Sequence, residues 1–74
     1  MLTRKQAIDQ AIGRSGLNQK QICEMCPISE YVLSKRLKDP ETFTIKELGW
    51  LNDVLQFTDN EILAIMRGEH DVWF

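Results

Sequence analysis

One device recurs along this chain and constrains its fold more than any other feature. A threonine or asparagine stands three residues before a glutamine or glutamate: Thr3 with Gln6, Thr44 with Glu47, Thr58 with Glu61 and, in a looser version, Asn18 with Gln21. The first amides of a helix lack partners within it. An oxygen on the capping side chain accepts from one of them, and the Gln or Glu reaches back to the amide of the capping residue. Ser29 offers a further cap, with Val32 where the reciprocal acid would stand. Together these caps predict five helix starts in 74 residues.

Apolar spacing between the caps agrees. Ala7, Ile8, Ala11 and Ile12 form an i, i+4 stripe that ends at the Gly13/Gly16 stretch. Leu17, Ile22 and Cys23 place a short second helix near 18–25. Leu33 and Leu37, with Val32 beside them, place a third near 29–37, which Asp39-Pro40 ends. Ile45, Leu48, Leu51 and Leu55 stripe a fourth; Ile62, Leu63, Ile65 and Met66 fill a fifth that stops at Gly68. No stretch alternates with period two for long enough to be a strand, and no repeat or linker divides the chain. The expected fold is all-α, a compact five-helix bundle in a single domain spanning 1–74, too short for two independent cores.

Composition removes several classes. With 43% apolar residues, two cysteines and four glycines, the chain is neither disordered, nor collagen-like, nor a disulfide scaffold. Its longest apolar run, Ile62–Met66, is far short of the roughly 20 residues a membrane helix needs, so no membrane partner is expected. No secretory signal follows Met1, and a reducing cytoplasm is the expected compartment. The pair Cys23 and Cys26 has C-x-x-C spacing, but a zinc site needs four ligands and His70 is the only other soft candidate. A redox motif would need a βαβ context. Both cysteines are therefore read as core, since free cysteine is among the most buried residue types, and no metal or other cofactor is expected. Neither a nucleophile–base pair nor a Gly-rich phosphate loop is present, so an enzyme is not expected.

The net charge of −2 argues at first against nucleic acid. Divided along the chain it reads differently: residues 1–46 carry net +3 and residues 47–74 carry net −5. A cationic face backed by an acidic half shows this asymmetry; so do five helices with ordinary solvated surfaces.

Helices two and three are joined only by Cys26-Pro27-Ile28, which forces a steep crossing and predicts a helix-turn-helix unit over about 18–38. With Leu33 and Leu37 turned inward, Glu30, Tyr31, Ser34, Lys35 and Lys38 line the opposite face of helix three. The run from Asn18 to Pro40, with Gln19 opening helix two, Cys23 as its small residue, Ile28-Ser29 at the turn exit and Leu33-Ser-Lys-Arg-Leu37 in helix three, resembles the phage-repressor helix-turn-helix family (lambda repressor and Cro type). Phe43–Leu48, Val54-Leu55 and Thr58–Leu63 resemble helices four and five of its small members, so the likeness covers about residues 3 to 67. It implies a lambda-repressor-like DNA-binding fold. It also implies a sequence-specific regulator of double-stranded DNA, a repressor acting as a dimer on two half-sites.

Position by position, the resemblance implies that Glu30, Tyr31, Ser34 and Lys35 read bases while Gln19, Ser29 and Lys38 hold phosphates. Lys35 would donate to guanine, Glu30 would accept from cytosine N4, and Tyr31 would meet a thymine methyl or a phosphate. Two residues depart from the family pattern. Pro27 stands where a left-handed glycine is favoured; it cannot adopt φ > 0, and it pushes Cys26 out of the α region, so helix two should end by Met25. Glu30 places an anion on the DNA-facing surface, giving base selectivity or marking a surface that has lost DNA. The second option leads to the alternative, a protein-interaction module on the same fold, with a protein partner on the acidic C-terminal half. The aromatic tail 69–74 also has two readings: Val72, Trp73 and Phe74 either fold back over helix five to complete the core or form a dimer contact. Trp50, just off the Leu48/Leu51/Leu55 stripe, poses the same choice. His70 is read as an ordinary surface histidine.

Overall fold

The fold is seen in a computed structural model that describes residues 2–67. The expected capping boxes close. The amide of Thr3 donates to Gln6 Oε1 at 2.9 Å and that of Gln6 to Thr3 Oγ1 at 3.1 Å. Thr44 with Glu47 repeats this at 2.9 and 3.1 Å, and Thr58 with Glu61 at 2.9 and 3.2 Å. Asn18 with Gln21, the loosest match in sequence, forms an equally complete box at 2.9 and 2.8 Å.

These caps open α1 (Arg4–Ser15), α2 (Gln19–Met25), α4 (Ile45–Leu55) and α5 (Asp59–Arg67), and Ser29 caps α3 (Glu30–Lys38). No strand occurs among the described residues. Gly16 ends α1 in the left-handed region, φ 74°, where a side chain would be strained. The turn between α2 and α3 is built without that conformation: α2 stops at Met25 and Cys26 is extended at φ −125° and ψ 149°, as Pro27 requires. Past α3, Pro40–Thr42 forms a single 3₁₀ turn that the apolar pattern does not foreshadow.

Ala7, Ile8 and Ala11 of α1 lie at the centre of the core, and α1 packs most extensively against α5. Ile22, Leu33, Leu48, Leu51, Leu55, Ala64 and Ile65 come from the other four helices, and α2 packs against α3. Several apolar residues expected inside are not. Ile45 is 75% exposed, and Ile62, Leu63 and Met66 also face outward; Val32 and Leu37 are half-buried. Periodicity identifies residues that share a helix face, but burial requires a neighbour to cover the whole face, and no other described residue covers one flank of α4 and α5. Trp50 packs half-buried against the core. Cys26, not Cys23, is the buried thiol, because the extended residue ending α2 turns its side chain inward, with Sγ 3.6 Å from the Trp50 carbonyl oxygen. The tail readings for Val72, Trp73 and Phe74, with Gly68 as the stop of helix five and His70 on the surface, fall outside the described residues.

Glu61 does more than cap. Its side chain is fully buried and receives Arg14 through both oxygens, at 2.6 and 2.9 Å, and Gln10 at 2.9 Å. Arg14 also donates to the Gln56 carbonyl at 3.1 Å, so one guanidinium joins the end of α1 to the α4–α5 junction. A carboxylate in such surroundings is tolerable because every oxygen is matched by a donor. Hydrogen bonding to Arg14, against the opposing effect of burial and with help from the Thr58 amide and Gln10, holds its pKa at about 2.

Candidate nucleic-acid interface

The α2–α3 pair presents the surface that the sequence singles out. Because Leu33 is fully buried and Ser29 has turned the chain into helix, the positions two residues before and two after Leu33 rotate away from the core. Glu30, Tyr31, Lys35 and Lys38 are exposed on α3, and Ser34 is half-buried between them. Gln19 is the exposed first residue of α2. Ser29 is exposed too, but its hydroxyl oxygen accepts from the Val32 amide at 3.2 Å, so its first role is as a cap.

Tyr31 is 73% exposed, an uncommon position for an aromatic ring that the core does not use. The Lys35 ammonium lies 5.6 Å from its ring centroid, one helical turn on, within cation–π range. The contact holds the flat ring and the cation side by side on the outer face of α3, where both can meet a flat or anionic ligand.

Electrostatics around this face sorts the cations by type. Arg36 turns aside: its Nε donates to Glu47 Oε1 at 3.2 Å and fastens α3 to the start of α4. Burial pushes the Glu47 carboxyl up, but the Thr44 amide and Arg36 together hold it below the ordinary carboxylate value. Arg4 likewise points inward, donating to the Ile65 carbonyl at 2.9 Å and pairing with Glu41 at 3.5 Å. Three arginines of the basic half, Arg4, Arg14 and Arg36, therefore serve the fold. The outward charges of the helix pair are Lys20, Lys35 and Lys38, with Glu24 and Glu30 among them. Charge counted along the sequence overstates this surface, and Lys20, exposed at the start of α2, is a cation that sequence matching did not pick out. Its signal was available: it follows the position assigned to phosphate contact.

Neither thiol is poised for chemistry. Burial raises the pKa of Cys23, with Glu30 and Cys26 adding to it, and burial raises that of Cys26. A raised pKa keeps a cysteine protonated and a weak nucleophile and ligand. Among the described residues no group of three or more His, Cys, Asp or Glu side chains is placed to hold a metal ion.

By architecture the described residues form an all-helical globule in which two short helices meet through the four residues 26–29. No helix among the described residues is long and apolar enough to cross a membrane. No family model, no curated protein and no solved structure matches this chain.

Proposed function

We propose that the chain is a sequence-specific double-stranded DNA-binding regulator whose α3 enters the major groove, of the phage-repressor type. The observation that carries this reading is the outer face of α3, where an exposed tyrosine and a lysine stacked over it stand clear of every structural demand of the core. An α-helix with its side chains is about 10–12 Å across, which fits a major groove roughly 12 Å wide, and the nine residues of α3 run about 13 Å along it. In this reading Lys35 donates to guanine and Glu30 selects cytosine. Tyr31 and Ser34 complete the base contacts, and Gln19, Ser29 and Lys38 set the register on phosphates.

Occupying an operator is sufficient for repression, so no catalytic step is required. Selection from random duplexes at low salt tests the proposal. The expected result is one enriched motif, with Lys35→Ala relaxing the preference at one position and Lys38→Ala weakening all sequences alike. Recovery of no motif rejects it.

A second reading, a protein-interaction module on the same helices, draws on Glu24 and Glu30 in this face and on the inward turn of Arg4, Arg14 and Arg36. It expects no enrichment from any duplex pool.

A further inference from the structure

Three exposed side chains follow one another along the axis of α3: Glu30, Tyr31 and Lys35. The first is an acceptor, the second an apolar ring and the third a donor. Tyr31 and Lys35 lie against one another, the ammonium 5.6 Å from the ring centroid, and Tyr31 is 73% exposed. Glu30 forms no ion pair with another described residue. An acid in the first turn suits the helix dipole, but α1 and α2 open without one, so the fold does not demand it. From Glu30 to Lys35 the helix rises about 7.5 Å, roughly the rise of two base pairs.

Bases differ in which groups stand side by side on the major-groove edge. Thymine carries a methyl group, but its neighbour is the O4 acceptor, which repels a carboxylate. Adenine offers the N6 donor beside the N7 acceptor and has no methyl group. Cytosine offers the N4 donor beside a bare C5–H. Methylation at C5 changes this: 5-methylcytosine sets a donor and a methyl group side by side, which none of the three does. A guanine that follows it adds the O6 and N7 acceptors one base pair on.

We propose, resting on the DNA-binding reading above, that α3 reads a 5-methylcytosine–guanine step. Glu30 accepts from cytosine N4, the Tyr31 ring covers the C5 methyl group, and Lys35 donates to O6 and N7 of the following guanine. Donor, methyl group and acceptor pair along the step match acceptor, ring and cation along the helix. Glu30 thereby rejects thymine, which carries the same methyl group, and the ligand class is duplex DNA with methylated cytosine.

Two random duplex pools, one built with 5-methylcytosine in place of cytosine, test this with the full chain. The methylated pool should yield a motif containing a C–G step. The selected duplex should bind about fourfold more weakly when remade with plain cytosine at that step, the effect of one buried methyl group. Replacing the same cytosine by thymine, and its paired guanine by adenine, should weaken binding at least about tenfold. Tyr31→Ala should abolish the methyl preference and Glu30→Gln the rejection of thymine. Both positions are exposed, so circular dichroism should be unchanged in either variant. Enrichment in neither pool rejects the DNA-binding reading and this inference with it. A selected duplex bound equally with and without methylation overturns the inference and leaves DNA binding standing. A methyl preference that survives Tyr31→Ala, or a rejection of thymine that survives Glu30→Gln, overturns it too.

Discussion

The joint between α1 and α5 and the outer face of α3 use charge in opposite ways. At the joint, Arg14 and the fully buried Glu61 satisfy one another through two short contacts, with Gln10 and the Thr58 amide completing the set. On α3, Lys35 and Lys38 face solvent, and Lys35 lies against the ring of Tyr31. In these two regions arginine does the structural work and lysine is left outside, although elsewhere Lys5 of α1 reaches the Leu37 carbonyl of α3 at 3.4 Å. The chemistry explains the division: a planar guanidinium matches a carboxylate at two points and is weakly hydrated, whereas an ammonium on a flexible stem is strongly hydrated. A domain of this size can assign its arginines to hold helices together and still keep cations for a ligand.

The largest expected effect lies at the joint. Glu61→Ala removes a cap and leaves Gln10 and the Thr58 amide without their acceptor, while Arg14, itself exposed, can turn to water; it should cost about 1–3 kcal/mol in denaturant unfolding. A loss below about 1 kcal/mol would show that the joint is decoration. The same carboxylate predicts an acid dependence. Its folded pKa of about 2 lies below the ordinary 4.5, so its contribution is present above pH 4.5 and is lost as pH falls toward 2. Wild-type stability should decline through that window, and Glu61→Gln should flatten the decline. Thr44→Ala removes one cap and should cost about 1 kcal/mol. On the α3 face, Tyr31→Ala and Lys35→Ala should shift stability by no more than about 0.5 kcal/mol, since neither side chain serves the core. A large loss there would erase the contrast between the two regions.

The fold was largely legible in the sequence because its helix starts are encoded locally. Each capping box needs only two side chains three residues apart, and even the loose Asn18 and Gln21 pair forms. The consequence of Pro27 was legible for the same reason, since it acts on its immediate neighbour Cys26. What sequence did not disclose depends on distant partners. Glu61 reads as a cap; its burial follows from Gln10 and Arg14, 51 and 47 residues away. Arg36 sits within the α3 signature yet turns to Glu47, eleven residues on, and so leaves the candidate interface. Ile45 shares a periodic stripe with Leu48, Leu51 and Leu55, yet no other described element covers it, and the groove it lines has no signature in spacing alone. In the candidate site, exposure of Glu30, Tyr31 and Lys35 followed from the helical period, while the half-burial of Ser34 depends on the packing beneath α3.

In the proposed function the outward lysines of the helix pair meet a polyanion. Affinity for a selected duplex, measured across a series of salt concentrations for the wild type and Lys38→Ala, tests it most directly. The expected result is a log–log line of negative slope, shallower by about one in Lys38→Ala. An affinity that does not change with salt, or a slope that Lys38→Ala leaves intact, would contradict it.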